Sequence, residues 1–119
     1  MARRDLSGAV DFAVLESYAA GDAAAIDEVL ELFRHQAQLW SRLLDVRSPG
    51  WRDAVHTVKG AAAGIGAGDL ALACAQAEAA ASEGAPPLLE RVRDRLDLAL
   101  SDIAAYQHER LLQSLRAPT

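Results

Sequence analysis

A histidine, a lysine and a glycine lie within five residues of one another in the segment His56-Thr57-Val58-Lys59-Gly60. In a helix, residues three and four apart share one face, so the imidazole would have a cation beside it and no side chain over it. A neutral imidazole is a nucleophile, and a neighbouring cation can neutralise the oxygens of a phosphoryl group. If the segment is helical, its spacing predicts a surface that accepts a phosphoryl group.

A helical wheel places this histidine on the solvent side of its segment. At about 100° per residue, the apolar side chains gather on one face and His56 lies away from them. Three small residues accompany it on the outer side: Gly60, Ala63 and Gly64. A glycine inside a helix costs about 1 kcal/mol relative to alanine, so two beside the histidine indicate close approach by another macromolecule. Packing of both glycines against a neighbouring helix of the same chain is the alternative.

Glu78 is a second candidate for the same site. If two antiparallel helices meet at a link centred near residue 67, residue 78 lies opposite residue 56, because both are equally far from the link. The Glu78 carboxylate could then accept a hydrogen bond from one imidazole nitrogen and leave the other as the nucleophile. A solvated glutamate is the alternative. An ordinary surface role is likewise open for Lys59, although it is the only lysine in the chain.

Five helical segments are predicted between clear breakers. The first runs from about residue 11 to 20, and Asp22 caps a second that runs to about residue 45. Ser48-Pro49 reads as a capping residue and first-turn proline for the third, which ends near Gly66. Gly84 closes the fourth, and Pro86-Pro87 opens the last and longest. The predicted inward positions of the second to fifth helices are Ile26, Val29, Leu30, Phe33, Ala37, Trp40, Leu44; Trp51, Val55, Val58, Ala62, Ile65; Leu70, Cys74, Ala77, Ala81; and Leu89, Val92, Leu96, Leu100, Ile103.

Composition favours the same all-α fold. The chain is 51% hydrophobic with only 5% aromatic residues, and alanine, the best helix former, supplies much of that content. Because short links make neighbouring helices antiparallel, we expect an antiparallel up-down four-helix bundle with a short additional N-terminal helix. Residues 1–119 form a single domain, with about the first eight residues and the last few frayed.

Several function classes are disfavoured. A net charge of −5 argues against a nucleic-acid surface, and no apolar run reaches the roughly 20 residues that span a bilayer. No apolar signal core follows the basic start of the chain. The single Cys74 excludes an internal disulfide, suits the cytoplasm and is expected to fill the core. The chain has neither a hydrolase nucleophile motif nor a glycine-rich ATP-binding motif.

The histidines do not predict a metal site. Carboxylate-bridged sites in helical bundles use paired Glu-x-x-His turns. The residues three positions before His35, His56 and His108 are not glutamates. We therefore expect no metal.

With these residues placed, the chain resembles the histidine-containing phosphotransfer (HPt) domains of two-component phosphorelays. The resemblance is carried by 56–60, by the small residues that lead into Gly64-Ile65-Gly66-Ala67, and by Leu30-Glu31-Leu32-Phe33 upstream. Leu70 and the segment 74–78 resemble the helix that pairs with the histidine helix. Sensor-kinase dimerisation helices are a poorer match, because Thr57 and Ala61 stand where those have an acidic residue and a proline.

The resemblance implies a free-standing phosphotransfer protein that relays a phosphoryl group between receiver-domain aspartates. His56 would be the phosphoacceptor, Lys59 its charge-stabilising neighbour and Gly60 the clearance residue, whereas Glu78 stands where the family often has glutamine. The implied partners are response-regulator receiver domains and a hybrid or sensor histidine kinase. No cofactor is expected on this chain, since Mg²⁺ belongs to the receiver, and a monomer is the default. A helical adaptor that binds a receiver or kinase without carrying phosphate is the alternative.

The partner surface is predicted from surplus apolar residues. Antiparallel pairing across the turn near residue 48 brings residues 36–43 level with His56. Leu39 and Leu43 lie there beside the buried stripe of the second helix and, with Ala63 and Gly64, form a candidate docking patch. Each leucine could instead complete the core under the N-terminal helix.

Overall fold

Residues 8–116 are described in the computed structural model of this chain, and their regular structure is entirely helical. The elements are α1 (Phe12–Tyr18), α2 (Ala23–Leu43), α3 (Trp51–Ile65), α4 (Gly68–Ala79), a one-turn 3₁₀ helix (Ser82–Gly84) and α5 (Ala85–Arg116). Helices α2 to α5 form the predicted up-down bundle, and α1 is the short additional helix, which packs against α3. The chain ends that were predicted to be frayed lie outside the described residues, apart from Gly8.

The first two helices each begin after a capping aspartate, a role that was predicted for Asp22 alone. The Asp22 carboxylate accepts a hydrogen bond from the backbone N–H of Ala25 at 3.2 Å, and Asp11 does the same for Ala13 at 3.1 Å. Each bond satisfies one of the backbone donors left free at a helix start. Both caps lie outside the helical conformation, so they fix where α1 and α2 begin.

The core follows most of the predicted stripes. On α3, the residues predicted to point inward are all buried, with Val55, Val58 and Ala62 fully so. Leu89, Val92, Leu96 and Ile103 are buried on α5, and Leu100 is half-buried against the same core. Burial of aliphatic side chains at roughly 25 cal/mol per Å² is the main term that holds the helices together.

Two predicted helix boundaries are wrong. Ser48 and Pro49 do not start α3; the Ser48 carbonyl accepts a bond from the Trp51 N–H at 3.2 Å, which closes a turn before the helix begins. At the other end of the bundle, α4 ends at Ala79 because the backbone becomes extended at the next residue. Ala81, predicted to point inward, is therefore exposed. Gly84 belongs to the 3₁₀ turn that leads into α5 and does not close α4.

The inward assignment of Val29 is also wrong. Its side chain is 40% exposed, whereas Leu30 beside it is fully buried. The buried stripe of α2 passes from Ile26 through Leu30 to Phe33, and Val29 lies at its edge on the side that faces α1 and α3.

The N-terminal segment is held to the bundle by polar contacts. The fully buried Asp102 on α5 accepts hydrogen bonds from the backbone N–H groups of Ala9 and Val10, at 2.9 and 3.3 Å. Asp11 N–H donates to the Gly66 carbonyl at 2.9 Å. These bonds place α1 across the end of α3.

Gly66 ends α3 in the left-handed conformation, with φ of +86°. A side chain costs energy there. The surroundings add a second constraint, because a Cβ on Gly66 would collide with the backbone carbonyl of Asp11. Only glycine fits this junction between α1, α3 and α4.

Gly66→Ala should lower the free energy of unfolding by roughly 1–3 kcal/mol, through the unfavourable φ and the collision together. Chemical denaturation followed by circular dichroism measures the change. Gly64→Ala is the matched control, since Gly64 lies inside α3 with open space around its Cβ position, and alanine there should be neutral or stabilising. Equal stability of wild type and Gly66→Ala would contradict this account of the junction.

Candidate functional site

His56 lies in the first half of α3 with its side chain 70% exposed. Its helix neighbours Val55 and Val58 are fully buried, so the imidazole is on the outward side of the helix. Gly60 is exposed, and no described atom of another part of the chain lies within 4 Å of the position its Cβ would take. The solvent-facing placement expected from the helical wheel is confirmed.

Glu78, near the end of α4, lies directly opposite His56. Imidazole Nδ1 and carboxylate Oε2 are 2.7 Å apart. The tight link at Gly66 and Ala67 makes α3 and α4 antiparallel neighbours, which sets residues equally far from the link side by side. The predicted contact between Glu78 and the imidazole of His56 is therefore present, and the alternative of a solvated glutamate is wrong.

Lys59 binds the other oxygen of the same carboxylate. Its Nζ donates to Oε1 of Glu78 at 2.6 Å, and the lysine side chain is 36% exposed. This bond, followed by the one from His56, lowers the pKa of Glu78 below its ordinary value. The carboxylate is thus ionised at neutral pH and can only accept hydrogen bonds. Nδ1 of His56 must then carry the proton, which leaves a lone pair on Nε2 when the ring is neutral.

Arg52 is a third contact to Glu78 that the sequence did not suggest. Its guanidinium donates to the backbone carbonyl of Glu78 at 3.0 Å and to that of Ala80 at 2.9 Å. Arg52 lies four residues before His56 and seven before Lys59, so the three share one stripe of α3. That spacing is the signal that could have identified it.

Cys74 lies one helical turn before Glu78 and is fully buried. Burial, and to a smaller extent the negative charge of Glu78, raises the pKa of its thiol to about 12. The thiol remains protonated at neutral pH and acts as a small apolar side chain, as predicted.

The four residues predicted for partner docking are all exposed. Leu39 and Leu43 on α2 are 56% and 41% exposed, and Ala63 and Gly64 face solvent on α3. The leucines therefore do not complete the core. Gly64 also has open space around its Cβ position among the described residues, so packing against a neighbouring helix does not explain the glycine.

An apolar groove of about 510 Å³ runs between α1, α2 and α3, beginning at Thr57, the residue after His56. It contains only Gly64 of the four predicted docking residues. Its other walls include three exposed side chains that were not among the predicted docking residues: Tyr18, Val29 and Leu32. One exposed ridge of α2 carries four apolar residues at successive spacings of three, seven and four: Val29, Leu32, Leu39 and Leu43. This second apolar ridge is the sequence signal that could have identified the groove.

The other two histidines are elsewhere. His35 is on α2 with its side chain 70% exposed, and its Nε2 lies 3.6 Å from a Glu31 oxygen. His108 is exposed on α5. Across residues 8–116, no three histidine, cysteine or acidic side chains gather in a group that could hold a metal ion. Within the same residues, no helix combines the length and apolar character needed to cross a membrane.

Comparisons with known proteins agree with this geometry. The family model of the Hpt domain matches residues 23–106, which contain all of α2, α3 and α4. The chain is 59% identical to histidine phosphotransferase ShpA from Caulobacter crescentus, whose crystal structure it matches with a TM-score of 0.82. That match covers 92% of this chain and 100% of the other. No curated protein matches the chain significantly. The chain therefore belongs to the Hpt domain family and is a phosphotransfer protein of phosphorelays.

Proposed function

We propose that His56 is the phosphoacceptor and that it exchanges a phosphoryl group with aspartates of receiver domains. The observation that carries this proposal is the bond between its Nδ1 and Glu78, made by an imidazole that is 70% exposed. An exposed ring with its tautomer fixed presents one defined nucleophile, Nε2, to a partner. Family membership supplies the partner class, since phosphorelays contain receiver domains and kinases.

The proposed step is a direct in-line transfer. The Nε2 lone pair attacks phosphorus of the receiver's aspartyl phosphate, an N–P bond forms, the acyl P–O bond breaks, and the aspartate leaves as a carboxylate. The ring becomes positively charged while Nδ1–H remains bonded to Glu78, whose negative charge stabilises that cation. No proton has to move, so the transfer is reversible and depends on positioning and charge neutralisation.

Lys59 is proposed to serve both states of the histidine. Before transfer its ammonium neutralises Glu78 at 2.6 Å and keeps the carboxylate ionised. After transfer its positive charge lies on the same helix face, one turn from the phosphorylated ring, where phosphoryl oxygens can receive its hydrogen bonds. Gly60 is proposed to provide clearance, because a side chain there would project from the ridge that the receiver must reach.

The docking surface is proposed to join the histidine ridge to the apolar ridge of α2. Leu39, Leu43, Ala63 and Gly64 are its predicted residues, and the groove that begins at Thr57 extends it toward α1. An apolar helix face of a receiver domain is the occupant that suits a groove between helices. Contact with the groove would orient the aspartyl phosphate toward Nε2.

We further propose that the protein acts as a monomer in the cytoplasm and carries no cofactor. The buried thiol of Cys74 suits a reducing compartment. The Mg²⁺ needed for aspartyl-phosphate chemistry would be held by the receiver domain.

His56→Gln should abolish phosphoryl transfer, because glutamine offers no nucleophilic nitrogen. Intact-mass measurement after mixing with a phosphorylated receiver domain should show an acid-labile adduct on wild type and none on the variant. His35→Gln is the matched control, since the two histidine side chains are equally exposed, and it should accept phosphate like wild type. An adduct on His56→Gln would contradict the assignment, and binding without any adduct on wild type would favour the adaptor alternative.

Gly60→Leu should separate stability from transfer. Leucine is a better helix former, and a Cβ at this position has no neighbouring atom within 4 Å among the described residues, so the free energy of unfolding should rise by up to about 1 kcal/mol. The same side chain should obstruct the receiver and slow single-turnover transfer about tenfold, equivalent to a 1.4 kcal/mol rise in barrier. Gly68→Leu, which adds the same side chain at the far end of the α3–α4 pair, should leave the rate unchanged. An undiminished rate in Gly60→Leu would remove the clearance role.

Leu39→Asp should weaken binding of the receiver domain about tenfold, because a charge replaces apolar contact area at the docking surface. Leu72→Asp is the matched control: Leu72 is 58% exposed on α4, compared with 56% for Leu39, and it lies outside that surface. Isothermal titration calorimetry with the receiver gives both affinities. If the two variants lose the same affinity, docking on α2 is not supported.

A further inference from the structure

Glu78 is contacted by three successive residues on one stripe of α3. His56 and Lys59 bind the two carboxylate oxygens, and Arg52 binds the backbone carbonyl. The first two contacts belong to the proposed chemistry. The third lies one turn further from the phosphoryl position and acts on the main chain of Glu78.

The end of α4 needs such a contact. The last carbonyls of a helix have no partners within it, and α4 ends at Ala79, one residue after Glu78. Ala80 is already extended, and its own N–H makes a short-range bond to the Ala77 carbonyl at 3.2 Å. The residue that must hold the imidazole is therefore in the turn of α4 most prone to fraying.

The Arg52 guanidinium is shaped to hold this turn. Its NH1 and NH2 groups bind the carbonyls of Glu78 and Ala80, which lie on either side of the helix end. The same guanidinium lies 4.3 Å from the centroid of the Trp51 ring, and Trp51 is buried. A planar cation that packs on a buried aromatic ring and donates to two carbonyls can hold the helix end in one place.

We propose that Arg52 is a positioning residue for the phosphoacceptor, acting through Glu78. By clamping the final turn of α4 to the first turn of α3, it keeps the Glu78 carboxylate within hydrogen-bond distance of Nδ1. Without the clamp, the turn opens, Nδ1 loses its acceptor, and the proton redistributes between the two ring nitrogens. This inference builds on the proposed role of His56, but its main consequence is visible in the unphosphorylated protein.

The test is ¹⁵N–¹H correlation spectroscopy of the imidazole side chains in wild type, Arg52→Met and Arg34→Met. Methionine keeps an unbranched apolar stem and removes the guanidinium. Arg34 is the matched control, because it also uses a guanidinium to join two helices, through Gln107 at 2.9 Å. Wild type and Arg34→Met should show His56 with the proton on Nδ1, and Arg52→Met should show a shift toward the Nε2–H form with thermal unfolding still cooperative.

Arg52→Lys provides a second variant if the methionine protein folds poorly. Lysine keeps the charge, but a single ammonium does not reproduce the planar fork, so the tautomer shift should persist in part. A wild-type tautomer in both Arg52 variants would overturn the proposal. Full restoration by lysine would also overturn it, since charge alone would then account for the effect.

Single-turnover transfer from a phosphorylated receiver gives the functional readout. Arg52→Met should transfer about tenfold more slowly than Arg34→Met, in line with the cost of a misplaced reacting group. The two proposals fail in different ways. Phosphoryl transfer to His56→Gln would refute the acceptor assignment, whereas an unchanged imidazole spectrum in Arg52→Met would refute the clamp and leave the assignment of His56 intact.

Discussion

A single carboxylate between two helices determines what the exposed histidine can do. The bonds from Lys59 and His56 lower the pKa of Glu78 below its ordinary value, and the ionised carboxylate fixes the proton of His56 on Nδ1. If that carboxylate moved by a few ångströms, the imidazole would rotate freely and present either nitrogen. The bundle can therefore be understood as the support that holds α3 and α4 at the separation this contact requires.

Small residues set that separation. After Leu70 in its first turn, the buried residues of α4 are Ala73, Cys74 and Ala77, and α3 contributes Ala54 and Ala62. Side chains of this size let two helices approach closely, so that the exposed edges of α3 and α4 come within reach of short polar contacts. Larger core residues would fill the seam and push Glu78 away from the histidine. The alanine-rich composition thus serves the geometry of the site as well as helix propensity.

Sequence reasoning succeeded where a period or a symmetry determines position. The helical period alone places His56 outward, and a tight link between antiparallel helices alone places residue 78 opposite residue 56. Prediction from the sequence failed where the local signals are ambiguous. Ser48-Pro49 can begin a helix or close a turn, and tertiary contacts decide between them. The spacing of Arg52 from His56 marks the stripe on which it lies, but not its partners, which are backbone carbonyls at the end of α4. The groove was missed because it depends on how α1 lies across α3.

Gly60 within α3 and Gly66 just after it show that one residue type can meet opposite constraints. Gly66 is surrounded, and its backbone conformation and the nearby Asp11 carbonyl exclude any side chain. No neighbouring atom of the described residues lies within 4 Å of the position that a Cβ on Gly60 would take. The fold therefore gains nothing from the missing side chain and loses helix stability. Because this loss of helix stability has no benefit within the fold, it indicates that the glycine is selected for contact with another molecule. The open space above Gly60 is then the space that the partner occupies when it binds. Because Gly60 lies one turn from His56, the partner comes closest to α3 beside the histidine.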